Sequence, residues 1–297
     1  MSLNEHNQDF KLENLFSVKD KVALVTGGGS GIGLMAVQAL ATNGAKVYIV
    51  GRTEEKLQKV ADTFGKDIPG QIIPVTGDVT NKSSIKELVK HISEREKCLC
   101  ILINNAGIEL NSQKTEAESA EEMSKNLFDD ENETPELWAD THRTNVAQLF
   151  FMTAAFLPLL QKATEHQHGY SGTVINITSI SGFVKTAQHH FAYNASKAAA
   201  VHLTTMLSSE IAANGLKIRV NAVAPGVFPS EMTAGESDDK QKSSLAKEKY
   251  ESKTSARRPG KDTDMANAIL FAATNQYLNG QNVIVDGGYV ITAGGGP

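Results

Sequence analysis

Tyr193 and Lys197 stand four residues apart in FAYNASKAAAVHLTTMLSSEIA, a stretch that reads as one long helix. Positions i and i+4 share a helical face, so the Lys197 ammonium lies near the Tyr193 phenol. An ordinary phenol has a pKa of about 10 and holds its proton at neutral pH. A cation within roughly 4–6 Å favours the phenolate and lowers that pKa. A tyrosine tuned in this way serves as a general acid or base. Many helices carry Tyr and Lys at this spacing by chance, so the pair gains meaning only beside a cofactor cleft and partner groups.

The elements that would build such a cleft start at residue 21. KVALVT is a short apolar run ending in glycines, as a buried parallel strand should be. Strand and helix then alternate. AKVYIV, QIIPVTGDV, CLCILINNAG, GTVINITSISG, LKIRVNAVAPG and GQNVIVDGG read as strands two to seven, with helical segments between them. This predicts right-handed βαβ units in an α/β, doubly wound Rossmann-type domain over 21–292, its seven parallel strands ordered 3-2-1-4-5-6-7 with helices on both faces. Residues 1–20 read as an arm and 293–297 as a tail. The stretch 108–134 is acidic and poor in strand formers, and reads as a solvated surface insertion, a lid or docking role being the alternative. The segment 135–161 reads as one helix opened by Pro135, and 227–258 as a polar loop beside the site.

Ligands of such sheets bind outside the carboxyl ends of the strands. Thr26-Gly27-Gly28-Gly29-Ser30-Gly31-Ile32-Gly33 lies there, between a strand and a helix N-terminus. Missing Cβ atoms let the backbone approach a pyrophosphate, and the helix's free N–H groups favour the anion. The spacing Gly27-x-x-x-Gly31-x-Gly33 departs from the common G-x-G-x-x-G fingerprint. The second strand ends in Val50-Gly51-Arg52. An acid at this position would grip the ribose 2′-hydroxyl of NAD, whereas an arginine suits the 2′-phosphate of NADP. NADPH is therefore the expected cofactor, ahead of NAD. Asp78 and Val79 follow the third strand, where a carboxylate can hydrogen-bond an adenine. Asn105, Ala106 and Gly107 follow the fourth and bring small residues to the cofactor's middle.

Taken together, TGGGSGIG, NNAG, a serine after strand five, Y-x-x-x-K and a PG turn after strand six resemble the short-chain dehydrogenase/reductase family over roughly residues 20–292. The resemblance implies that Ser179 hydrogen-bonds the substrate oxygen, with Ser181 and Thr178 as competing candidates. It implies that Tyr193 is the proton donor in reduction, and that Lys197 lowers the tyrosine pKa and binds the nicotinamide ribose. Asn145 would anchor a water-linked proton relay, Pro225, Gly226 and Val227 would flank the nicotinamide, and Ser230 would hold its carboxamide. APGVFPSEMT is similar to the bacterial 3-oxoacyl reductases of the rhamnolipid type, which points to a 3-oxoacyl thioester as one substrate class. Reduction of a ketone is the expected reaction. Oxidation of a secondary alcohol, polyol or sugar, and a turnover-free dinucleotide sensor, are the alternatives. A homotetramer or dimer is implied as well. His189 and His190 either line the substrate pocket or sit in a solvated loop.

Composition narrows the field further. Hydrophobic residues at 40% and charged residues at 21% fit a globular chain, and a net charge of -5 gives no electrostatic case for nucleic acid. No uninterrupted apolar run reaches the ~18 residues of a membrane span. The N-terminal stretch is polar and mildly acidic, unlike a signal or transit peptide, and GGGP matches no common targeting signal. A cytosolic setting is expected. Cys98 and Cys100 alternate along a strand and so point to one face, as core residues. No metal site is expected, from these cysteines or from His166 and His168.

Overall fold

Short aliphatic and β-branched runs bounded by glycine make the strands β1 Val22–Thr26, β2 Lys46–Gly51, β3 Gln71–Thr76, β4 Ile101–Asn104, β5 Thr173–Ile177, β6 Arg219–Pro225 and β7 Asn282–Val285. The computed structural model describes residues 7–293; the start of the arm and the GGGP end lie outside the described residues. Every strand pair is parallel, and the order is β3-β2-β1-β4-β5-β6-β7, as the alternating pattern predicts. The helices are α1 Leu12–Leu15, α2 Gly31–Thr42, α3 Glu54–Phe64, α4 Lys82–Ser93, α5 Ala120–Phe128, α6 Pro135–His142, α7 Gln148–His166, α8 Phe191–Ala213, α9 Glu231–Ala234, α10 Asp262–Thr274 and α11 Tyr289–Thr292.

Side chains alternate across the sheet and so fill two separate cores. Ala23, Val25, Val47, Ile49, Ile101, Ile103 and Ile175 face one side and pack with Leu34, Val37 and Leu40 of α2 and Ile269 and Ala272 of α10. Leu24, Tyr48, Val50, Leu102, Val174 and Val220 face the other and meet Ile85, Leu88 and Ile92 of α4 and Met152, Phe156 and Leu160 of α7. Strands buried on both faces carry nearly continuous apolar runs, which is why they are legible.

Two elements differ from the sequence reading. The expected single helix over 135–161 is split by a π-helical turn at Arg143–Ala147 and then runs on to His166. The inserted residue is tolerated because Asn145, within that turn, hydrogen-bonds both backbone groups of Ile108. By length and composition, Pro135–His166 passes as a membrane-crossing helix. Here Leu149, Met152, Phe156 and Leu160 are buried in the core, and it serves as a packing helix of the sheet. The fourth strand starts at Ile101, after the cysteines, because the Leu99 N–H goes to the Leu159 carbonyl of α7. Cys98 and Cys100 still share a face and join the same core layer, both unpaired.

Buried polar groups lock the sheet below the site. Asn104 and Asn176 are register partners on β4 and β5, both fully buried. Asn104 Nδ2 donates to Asn176 Oδ1 at 2.9 Å, and Asn176 Nδ2 donates to Thr204 Oγ1 of α8 at 2.9 Å. The chain thus ties the strand end before Asn105 to the one before Ser179 and to the helix of Tyr193. Arg219, also buried, donates to the Ala272 and Ala273 carbonyls at the C-terminus of α10. Replacing Asn176 by Leu leaves buried partners unpaired and is expected to cost about 2–4 kcal/mol. Thermal unfolding reads this as a midpoint lowered by several degrees; an unchanged midpoint would show that the network contributes nothing.

Candidate active site

Between β1 and α2 the chain turns where two backbone segments touch. Gly27 has φ +65°, and a Cβ on Gly33 would lie 2.1 Å from the Gly27 carbonyl oxygen. Only glycine permits this packing at 33. The turn is stitched to the end of β4: Asn105 Nδ2 donates to the Thr26 and Gly27 carbonyls, and Thr26 Oγ1 accepts the Asn105 and Ala106 amides at 2.9 and 3.0 Å. Leu34 is the first residue of α2 whose N–H reaches a backbone carbonyl, that of Ser30. The amides of Gly31, Ile32 and Gly33 have no such partner among the described residues, which makes this helix end a site for an anion.

A cleft of about 510 Å³ opens beside the turn, and Gly27, Ser30, Arg52, Asp78, Val79, Ala106 and Gly107 line it. Gly31, Ile32, Gly33 and Asn105 stand outside that lining and frame the turn. The Asp78 carboxylate accepts from both the N–H and the hydroxyl of Thr80, which holds its pKa below the usual carboxylate range; Arg52 adds to this and burial opposes it. Arg52 is exposed, with no hydrogen-bond or ion-pair partner among the described residues. Lys56, on the next turn of the chain into α3, lines the same cleft and pairs with Glu231 at 2.8 Å. The sequence reading missed Lys56; its four-residue spacing from Arg52 is the only signal.

Pro225, Gly226 and Val227, in the turn after β6, are not among the residues that line this cleft. Pro225 ends that strand opposite Val285, and a Cβ on Gly226 would strike Asp286. Val227 lines a second cavity of about 340 Å³ with Phe228, Arg258 and Asp286. Ser230 caps α9: its hydroxyl accepts the Thr233 N–H, and its Cβ would sit 2.9 Å from a methyl on Gly31. Ser230 therefore covers the glycine turn with its hydroxyl already engaged.

Four polar side chains meet past Gly107. Ser179 hydrogen-bonds Tyr193 and accepts the Ser181 N–H at 3.1 Å. Its competitors point away: Thr178 Oγ1 donates to the Val223 carbonyl and Ser181 Oγ to Gln188 Oε1. Lys197 is 5% exposed, its ammonium 5.5 Å from the centre of the Tyr193 ring and 3.1 Å from the Ile177 carbonyl that accepts from it. A methyl on Gly107 would lie 3.2 Å from Asn145 Oδ1 and 3.7 Å from Lys197 Nζ, so these two flank the inner end of the cleft. Asn145 donates to the Ile108 carbonyl and to Ser196 Oγ, and accepts the Ile108 N–H.

The electrostatics differ from the sequence reading. Burial pushes the Tyr193 phenol up to about 12; the Ser179 hydrogen bond pulls it down, and the Glu109 carboxylate adds to the rise. Burial also pulls the Lys197 ammonium down to about 8. Desolvation thus outweighs the expected pull of the cation on the phenol.

The insertion does not merely face solvent. His189 and Gln113 exchange hydrogen bonds, the Gln113 N–H donating to the His189 carbonyl and His189 Nδ1 to the Gln113 carbonyl. His190 Nδ1 lies 2.7 Å from Glu109 Oε1 and 3.1 Å from the Asn111 carbonyl. Both histidines thus join the insertion to the loop ahead of α8, His189 exposed and His190 half-buried. Glu109 is a site residue that the sequence reading passed over, since an acid two positions beyond NNAG carries no pattern of its own.

A family model described as short chain dehydrogenase matches residues 21–241. The chain belongs to that family. It is 40% identical over 282 residues to the short-chain dehydrogenase/reductase PhomF of Diaporthe leptostromiformis, covering 93% of each chain. It is 32% identical over 276 residues to the rhamnolipids biosynthesis 3-oxoacyl-[acyl-carrier-protein] reductase of Pseudomonas aeruginosa, covering 92% of this chain and 98% of that one. Among solved structures it resembles the Pseudomonas aeruginosa RhlG/NADP active-site complex, with a TM-score of 0.76, 29% identity, and coverage of 93% and 98%. It also resembles the NADPH-dependent 3-quinuclidinone reductase of Rhodotorula rubra, with a TM-score of 0.73, 25% identity, and coverage of 95% and 96%. The short-chain dehydrogenase fold and an oxidoreductase acting between CH–OH and C=O groups follow from this membership.

The buried ammonium has a measurable consequence. Lys197 has a folded pKa of about 8 against an ordinary 10.5, so between those values the unfolded chain binds more protons and stability rises with pH. Below pH 8 the full penalty is present. Lys197→Met is therefore expected to raise the thermal midpoint at pH 7 relative to the parent, and this gain should shrink as pH climbs from 8 to 10.5. A gain independent of pH would show that packing, not charge, is responsible.

Proposed function

We propose that this short-chain dehydrogenase reduces a ketone to a secondary alcohol with NADPH, Tyr193 acting as the proton donor. The observation that carries the cofactor choice is the end of β2. Arg52 and Lys56 border the cleft there, and no acidic residue intervenes between Val50 and Thr53. A guanidinium without a partner suits a 2′-phosphate and leaves a plain ribose diol without its usual acceptor. The glycine turn, with its unpaired amides at the start of α2, fits the pyrophosphate of the same group.

Bound in this cleft, the reduced dinucleotide supplies a hydride to the carbonyl carbon. The chain's own residues handle the oxygen. Ser179 donates a hydrogen bond to it and orients it toward Tyr193. The Tyr193 phenol, kept protonated by burial, delivers the proton as negative charge grows. Lys197 holds a positive charge beside the phenol and offers donors to the ribose hydroxyls. Its carbonyl partner, Ile177, and the neighbouring Asn145 keep the ammonium at the end of the cleft. Asn145 anchors the route by which a proton returns to Lys197 from solvent.

A 3-oxoacyl thioester is one substrate class of this reading, supported by the likeness to the rhamnolipid-type reductase over nearly the whole chain. A homo-oligomer belongs to it too: Phe150 and Phe151 at the start of α7 and Met206 on α8 are exposed apolar side chains that a second copy can cover. The reading includes a reducing, cytosolic setting, which the two unpaired thiols fit.

Tyr193→Phe is expected to lower kcat for ketone reduction about 100-fold or more while the NADPH dissociation constant, read by nucleotide fluorescence, stays within about twofold. Full turnover by this variant would end the proposal. Arg52→Ala is expected to raise KM for NADPH about tenfold and to leave that for NADH almost unchanged. An equal effect on both cofactors would remove the 2′-phosphate assignment.

A further inference from the structure

Glu109 and His190 belong to no step derived so far, yet Glu109 lies between Ile108 and Leu110, which line the cleft, and His190 precedes the proposed proton donor by three residues. The Glu109 carboxylate is close enough to Tyr193 for its charge to act on the phenol. It is half-buried, as is His190, with side-chain exposures of 22% and 28%. Its single ion-pair partner among the described residues is His190, at 2.7 Å.

The hydrogen bonding settles which ring nitrogen is free. His190 Nδ1 has two acceptors, Glu109 Oε1 and the Asn111 carbonyl, so the neutral ring carries its proton on Nδ1. Nε2 then presents a lone pair, and neither it nor Glu109 Oε2 has a partner among the described residues. The two free atoms are both acceptors.

The loop that delivers His190 is held with unusual force. Gln188 and His189 both adopt the left-handed backbone, at φ +53° and +69°, which non-glycine residues seldom take in succession. Gln188 is held by Ser181 and by the Tyr289 hydroxyl, and Asn194 donates to the Thr186 and Ala187 carbonyls. His189 already joins the loop to the insertion through Gln113. His190 occupies the residue before α8, whose N-terminus also favours the Glu109 anion.

We propose that Glu109 and His190 form a specificity-determining pair that accepts a hydrogen bond from a hydroxyl group carried by the substrate beside its reacting carbonyl. The pair deepens the ketone-reductase reading and rests on it. A hydroxylated ketone satisfies acceptors that an unsubstituted ketone leaves unpaired. A substrate carboxylate at the same place is repelled by Glu109.

The test is a ratio of kcat/KM values with NADPH, for 1-tetralone and cyclohexanone against their ring-hydroxylated derivatives. The parent protein is expected to prefer at least one hydroxylated member by about tenfold or more. His190→Phe and Glu109→Leu should bring that ratio to about one, and His190→Gln, which keeps an acceptor, should restore part of it. A merely structural role would lower both members of a pair together and leave the ratio unmoved; that result, or a parent without preference, overturns the inference alone. NADPH binding by fluorescence confirms that each variant is folded, and Glu109→Met, which also lacks a strong acceptor, replaces Glu109→Leu if the latter fails. A parent that binds NADPH and turns over no ketone in either set overturns the reductase reading, and this inference with it.

Discussion

The ammonium of Lys197 sits where water scarcely reaches, with one backbone carbonyl, that of Ile177, as its hydrogen-bond acceptor. Burying a charge with so little compensation is unfavourable, and the fall of its pKa to about 8 expresses that cost. The surrounding structure holds it there. The Ile177 carbonyl ends β5, Gly107 leaves room where any side chain would press on Asn145, and α8 is clamped to the sheet through Thr204. In the proposed reaction a lysine placed in this way has ribose hydroxyls and the phenol of Tyr193 as its partners.

The sheet serves that placement. Its strands end in one row, so the residues after β1, β2, β3, β4 and β5 converge on one cleft. The asparagine pair on β4 and β5 holds two of these ends in register. The stitching of Thr26 and Asn105 holds a third, through amides and carbonyls rather than side-chain packing. Hydrogen bonds of this kind, from side chain to backbone, leave little freedom to shift by the fraction of an ångström that would open the glycine turn. The site is therefore rigid toward the nucleotide end. The loop ahead of α8 and the insertion are joined by two histidines instead, and loops of this kind are where members of one fold can diverge at small cost to stability.

Much of this was legible from residue order. Strands buried on both faces, such as VALVT and TVINI, announce themselves as apolar runs, and Gly44 and Gly215 mark where helices stop because they take the left-handed backbone. The glycine turn, Arg52 and Tyr193-x-x-x-Lys197 are local patterns tied to chain geometry over one or two turns. Lys56, Glu109 and the π-helical turn at Asn145 were not legible. Each depends on a contact between segments far apart in sequence: Lys56 with Glu231, Glu109 with His190, and Asn145 with Ile108. No periodicity encodes such a meeting.

Residue order by itself determined the parallel α/β architecture, the position of the nucleotide cleft and the identities of the polar groups available to it, because those follow from alternation, glycine sterics and helical spacing. Tertiary structure alone decided how acidic those groups are and which of the candidate serines is turned toward the phenol. The phenol illustrates why. Its neighbour four residues on is a cation, which taken alone lowers its pKa, yet desolvation by the packed sheet and the charge of Glu109 from a separate segment raise it to about 12. Proximity along a helix is a local property, whereas the dielectric around a buried charge belongs to everything packed against it.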